Sequence, residues 1–171
     1  TIIFPDGASG ATWVQIRPDG ACKMFFPRID MGQNANTGLA QIVAEELNLS
    51  IEDIQGIQPN TSQVPPLALT AGSMSLTAFS RPMAIAAATL REQLRGLAAV
   101  HLGAPLSSIL DAVGGFRTAE GQSLGYAALV NEANLVIEFD DTKPAPALYT
   151  FDSNRIKQQV SETAKDETGR E

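Results

Sequence analysis

Cysteine and histidine are nearly absent: Cys22 and His101 stand alone among 171 residues. One cysteine excludes an internal disulfide framework and any multi-cysteine metal site, and one histidine excludes a paired-histidine zinc motif. Positive charge is scarce as well. The 12 Lys and Arg against 19 Asp and Glu leave a net charge of −7, which argues against a nucleic-acid partner, because neutralising a phosphate backbone needs clustered cations. The same acidity argues against docking on an anionic membrane. No apolar run has the length that crosses a bilayer, so membrane insertion is not expected.

What is present is ordinary globular material: 44% apolar residues, 18% charged, 14 glycines and 10 prolines. The length suits one domain with a core of its own. Alternation over Trp13–Arg17, the turn signal Pro18-Asp19-Gly20 and the apolar run Ala21–Phe26 predict a β-hairpin ended by Pro27, with Met24-Phe25-Phe26 as buried strand. A first helix follows. Leu39, Ile42, Val43 and Leu47 recur at helical spacing, with Gln41, Glu45 and Glu46 assigned to the other face. Asn36 or Thr37 is its expected N-cap and Asn48 its stop. Ser50 with Asp53 forms a small capping turn before a strand over Ile54–Ile57.

Pro59, Asn60, Pro65 and Pro66 make 58–69 a long extended loop. A second helix carries Met83, Ala86, Ala87, Leu90, Leu94, Leu97 and Ala98 on one face, with Pro82 in its first turn or inside it. Short elements come after Gly103: 106–113, a hairpin turn at Glu120-Gly121, a helix over Tyr126–Val130 and a strand over Leu135–Phe139. Pro144 and Pro146 mark a linker, and from Asp152 the chain is highly charged. The fold class expected is α+β, a small mixed sheet with two main helices packed on it. Residues 1–150 form the domain, and 151–171 a charged tail or the start of a linker to a following domain.

Two segments that precede the helices share a design. Met31-Gly32-Gln33 and Thr70-Ala71-Gly72-Ser73-Met74-Ser75 each set small or polar residues and a glycine where backbone amides can point at an anion. Helix N-termini add a positive dipole end. Either turn alone is also ordinary loop-to-helix structure.

In order and spacing, these turns together with Thr37 and Ala44-Glu45-Glu46-Leu47 resemble the molybdopterin-binding subunit of the xanthine dehydrogenase and aldehyde oxidase family. The layout from Asp19-Gly20 to Gln122-Ser123-Leu124-Gly125-Tyr126 is similar to the branch formed by the isoquinoline 1-oxidoreductase β-subunits. The resemblance implies that Met31, Gly32 and Gln33 contact the pterin. It implies that Gly72, Ser73, Met74 and Ser75 hold the phosphate region of a molybdopterin dinucleotide. Asn34 stands where the family carries a glycine, and asparagine tolerates the left-handed conformation.

By the same resemblance, the parent protein is a molybdenum-dependent oxidoreductase that oxidises an aldehyde or N-heterocycle with water as oxygen source. Its catalytic glutamate lies further along; Glu45 and Glu46 are not it. The chain is therefore expected to be a cofactor-binding fragment, inactive and empty of cofactor when isolated. Its implied partners are the remaining domains of the same polypeptide, a small iron–sulfur subunit and a cytochrome c electron acceptor, in the periplasm or the cytoplasm. An isolated chain should expose apolar surface and self-associate as a homo-oligomer. The alternative is a free-standing binding or interaction module that keeps the fold without the cofactor. Cys22 is read as a small buried hydrophobe, Trp13 as core, His101 as a partner of helix-end carbonyls, and Asp140-Asp141 as a solvated turn.

Overall fold

The structure, a computed structural model, describes residues 13–58, 69–132 and 144–152. Alternation builds the first layer. Strand β1 (Val14–Ile16) buries Val14 and Ile16, and β2 (Cys22–Phe25) buries Cys22 and Met24. They pair antiparallel with Val14 opposite Met24 and Ile16 opposite Cys22. In the connecting turn Asp19 Oδ1 accepts the Ala21 amide at 3.1 Å, and Gly20 takes φ 87°. Strand β3 (Ile54–Ile57) joins the other side of β2 in parallel, so the sheet is mixed, in the order β1-β2-β3. Parallel neighbours need a crossover, and helix α1 (Ala35–Leu47) supplies it.

Helix α1 buries Leu39, Val43 and Leu47 as its spacing predicts. It ends at Asn48, which is left-handed and returns its amide to the Ala44 and Glu45 carbonyls. Ser50 Oγ then accepts the Glu52 amide at 3.4 Å and opens a single 3-10 turn ahead of β3. The start of α1 differs from expectation. Its N-cap is Asn34, at φ 56° and with no side-chain cap bond, not Asn36 or Thr37.

Helix α2 (Met74–Leu102) is long, and Pro82 lies inside it rather than in its first turn. Proline cannot donate to the carbonyl four residues back. Met83, Ala86, Ala87, Leu90, Leu94 and Ala98 are buried, and Leu97 packs half-buried beside them. The alanines at 84 and 86–88 are buried too, and their small side chains let α1 approach closely. Beyond Gly103, strands β4 (Leu110–Ala112), β5 (Gly115–Arg117) and β6 (Ser123–Gly125) form a second, antiparallel sheet, and helix α3 (Tyr126–Glu132) follows. The sequence suggested only the hairpin turn of that sheet. Tyr126 ties it to the C-terminal end of α1, donating its hydroxyl to the Leu47 carbonyl at 2.8 Å. The Gly114 amide adds a bond to the Asn48 carbonyl at 3.0 Å.

Three expectations need correction. Glu46 does not face solvent with Gln41 and Glu45; it is fully buried and paired with Arg91 at 2.8 Å. The 45-residue separation of the two partners hides this pairing from local periodicity, although position 46 falls seven after Leu39 and so lies on the buried stripe. Phe25 and Phe26 are half-buried, unlike Met24, and Phe26 lies beyond the strand, against Gly56. The proline-marked segment around Pro144 and Pro146 is not free of the domain. Glu46 accepts the amides of Tyr149 and Thr150 at 3.0 and 2.9 Å, and Arg91 donates to the Ala147 carbonyl at 2.7 Å. Most of the expected 58–69 loop, the strand over 135–139, Asp140-Asp141 and the charged tail beyond Asp152 lie outside the described residues. Among the described residues, no helix is long and apolar enough to cross a membrane.

Candidate functional site

The two turns singled out in the sequence line one cavity of about 480 Å³. Its walls are Met31, Gln33 and Ala35 from the opening of α1, and Thr70, Ala71, Gly72, Ser73, Ser75 and Leu76 from the opening of α2. Of the expected site residues, Met31, Gln33, Gly72, Ser73 and Ser75 therefore meet there. Gly32 and Met74 stand beside the cavity without lining it: Gly32 is exposed at φ 101°, and Met74 is half-exposed.

Local bonding fixes each wall. In the first turn, Gln33 folds back on its own loop. Its Oε1 accepts the Met31 amide at 2.7 Å and its Nε2 donates to the Ile29 carbonyl at 3.1 Å. One side-chain N–H of Gln33 remains for a ligand edge. Asp30 then receives the amides that open α1: Oδ1 from Gly32 at 2.9 Å and Asn34 at 3.2 Å, Oδ2 from Asn36 at 3.1 Å. The Asn36 and Gly32 amides hold its carboxyl below the usual carboxylate range. This corrects the expectation that both turns offer amides to an anion. At α1 those amides already end on a carboxylate. Asp30 was missed, although an aspartate two residues before a glycine is a signal for such a side-chain-to-backbone turn.

The second turn is built differently. Gly72 and Ser73 are both left-handed, at φ 63° and 54°, and the Ser73 side chain makes no cap bond. The Met74 amide turns back to the Ala71 carbonyl at 3.3 Å. Ser75 is buried within the first turn of the helix. This end of the cavity thus combines three hydroxyl side chains, Thr70, Ser73 and Ser75, with a helix N-terminus that no carboxylate among the described residues closes.

Two further residues hold the walls together. Arg28 donates Nη1–H to the Leu69 carbonyl at 3.0 Å and lies over the Phe79 ring, 5.0 Å from its centroid. Gly38 in α1 receives Leu76 of α2, whose Cδ2 lies 3.1 Å from where a Cβ would stand. The single cysteine and histidine lie outside the site. Cys22 is buried in β2, and burial pushes its thiol up to about 12; His101 Nδ1 is 3.4 Å from the Leu97 carbonyl oxygen at the end of α2.

The chain matches the molybdopterin cofactor-binding domain family over residues 2–168. It belongs to that family. A nicotinate dehydrogenase subunit of Pseudomonas putida is 32% identical over 141 residues, covering 82% of this chain and 12% of that protein. The reconstituted CO dehydrogenase of Oligotropha carboxidovorans superposes with a TM-score of 0.61 at 26% identity, over 68% of this chain and 15% of its own. Quinoline 2-oxidoreductase from Pseudomonas putida 86 shares the fold, with a TM-score of 0.58 at 24% identity and the same coverage. The chain spans 12% of the curated relative's length.

Molybdopterin is a neutral, hydrogen-bonding ring system joined to phosphate, and the cavity fits such a group. All nine lining residues are uncharged, and they divide into a side-chain amide at one end and hydroxyls with a helix N-terminus at the other. The chain is a cofactor-binding domain of the molybdenum-hydroxylase type, related to the xanthine dehydrogenase and aldehyde oxidase proteins.

Proposed function

We propose that this domain holds a molybdopterin dinucleotide across its two turns, as part of a longer polypeptide that hydroxylates an N-heterocycle or aldehyde with oxygen from water. The observation that carries the reading is the meeting of both turns in one cavity of about 480 Å³. When bound, the molybdenum–pterin group supplies the redox chemistry. The chain's own residues bind and orient it. Gln33 and Met31 meet the pterin edge, with Gly32 giving close backbone approach, while Ser73, Ser75 and the Gly72 turn hold phosphate oxygens, with Met74 flanking them. The name of the nicotinate dehydrogenase relative supports an N-heterocyclic substrate and a multi-subunit assembly for the complete protein. An iron–sulfur subunit, with cytochrome c after it, would take the electrons. Catalysis belongs to the rest of the polypeptide, since none of the residues lining this cavity is a general base.

Substituting Gln33→Ala and Ser73→Ala in the full-length protein tests the reading. Each is expected to lower bound molybdenum, measured by elemental analysis of the purified protein, by roughly five- to tenfold, as loss of one ligand hydrogen bond implies. Normal metal content in both variants would favour the alternative, a module that keeps the fold without the cofactor.

A further inference from the structure

The cavity is lined by neutral residues, yet it is flanked by two charges that point opposite ways. Across residues 27–36 and 69–76, the two turns with their approaches, the charged side chains are Arg28 and Asp30. Arg28 serves the α2 side: its partners are the Leu69 carbonyl, one residue before Thr70, and the ring of Phe79 in α2. Asp30 serves the α1 side, where both carboxylate oxygens collect the Gly32, Asn34 and Asn36 amides. A helix N-terminus attracts an anion through unpaired amides and the dipole. At α1 an internal anion has taken the Asn36 amide of the first turn together with the Gly32 and Asn34 amides before it, and a second anion would meet its charge. At α2 no carboxylate among the described residues does this, and the Ser73 side chain makes no cap bond.

We propose that Asp30 orients the cofactor: by closing the α1 end of the cavity to anions, it directs the phosphates to the Gly72-Ser73 turn and leaves the pterin edge to Gln33. This rests on the function proposed above and adds the residue that sets polarity. Asp30 is a positioning residue. It does not line the cavity, and it acts through the amides of α1. Two helix openings with like turns would accept the phosphates at either end. One carboxylate removes the degeneracy, and the Arg28 guanidinium on the opposite side reinforces it.

Inorganic pyrophosphate titrated into the full 171-residue chain, followed through backbone amide shifts by NMR, tests the assignment. The unmodified chain is expected to show shifts at the amides of residues 73–76 and none at 32–36. Asp30→Asn keeps one oxygen acceptor for the Gly32 and Asn34 amides, and the bonds of Gln33 to Met31 and Ile29 still hold the loop, so the fold is expected to persist while the charge is lost. Shifts are then expected to spread to 32–36. Asp30→Glu restores the charge and is expected to restore the original pattern, which a purely structural cap would not require. If Asp30→Asn fails to fold, Arg28→Gln decides: pyrophosphate is expected to bind roughly two- to fivefold more weakly, the scale of one exposed charge, and unchanged binding overturns the polarity. Equal shifts at both turns in the unmodified chain, or an unchanged pattern in Asp30→Asn, overturn the role of Asp30 and leave the cofactor reading standing. No shift at 73–76 in the unmodified chain overturns the phosphate seat itself, and the reading with it.

Discussion

At the scale of single residues, Glu46 shows where local chemistry and global position part. Within a helix, residue polarity alone assigns it to solvent. In the fold it is fully buried, and it accepts from Arg91 at 2.8 Å and from the Tyr149 and Thr150 amides. Arg91 also lies 3.5 Å over the Tyr149 ring, and Arg95 joins Tyr149 to Asp111. A buried ion pair contributes little net stability, but removing one partner strands the other. Glu46→Ala is therefore expected to cost about 3 kcal/mol, read from the shift in urea midpoint at unchanged slope. A cost below about 1 kcal/mol would mean that Glu92 and the Ala147 carbonyl satisfy Arg91 without it. Glu46 sits at the end of α1 away from the cavity, so its variant should unfold more easily without changing which ligand the folded chain takes. The residues that the sequence did reveal are those defined by one neighbourhood: Cys22 as a buried hydrophobe, and Asn34 as a residue that accepts the left-handed conformation, although not as the cap of α1. Glu46 was not legible, because its partners lie 45 or more residues away and are set by chain closure, whereas the partners of Asp30 lie within six residues and its place two before a glycine is a local signal for them.

At the scale of elements, the helix pair is anchored at one end and open at the other. The C-terminal end of α1 carries bonds from Tyr126, Gly114 and Arg91, whereas the N-terminal ends of α1 and α2 carry the cavity. Gly38 sets how near they approach there. Adding a methyl at Gly38 removes the helix penalty of glycine, worth up to about 1 kcal/mol, but its Cβ would press Leu76, which lines the cavity and is 43% exposed. Because Leu76 has room to turn, Gly38→Ala is expected to leave thermal stability unchanged or slightly raised. It should lower molybdenum content in the full-length protein all the same, since the displaced side chain narrows the cavity. A drop in melting temperature with normal metal loading would reverse that assignment. The contrast is Gly115, where a Cβ would run into the Leu124 carbonyl oxygen, a backbone atom that cannot turn aside. Periodicity revealed both helices and the β1–β2 hairpin, because each buries a stripe of its own. The second sheet was not legible: none of its strands buries alternate residues as β1 does, and pairing with neighbours defines them.

At the scale of the whole molecule, the cavity has an apolar rim. Ile29, Met31, Leu69, Met74 and Leu76, all in or beside the two turns, are 61%, 72%, 77%, 50% and 43% exposed. Single exposed apolar side chains are ordinary, but a group of five about one cavity marks a face meant to be covered. The covering expected in the complete protein is the rest of its polypeptide, which the relative's length leaves room for, since this chain spans 12% of it. Deprived of that cover, the chain has its own rim as the nearest apolar partner. Sedimentation of the isolated chain is thus expected to give a weight-average mass that rises with concentration. Met31→Gln with Met74→Gln should move it back towards the monomer, since burying each methionine is worth about 2 kcal/mol. Neither substitution touches the core, so circular dichroism should be unchanged. A monomer at every concentration would show that the rim serves the cofactor alone, with Met31 and Met74 packing on the bound ring rather than on protein; the same double variant would then lose molybdenum in the full-length protein while leaving sedimentation as it was.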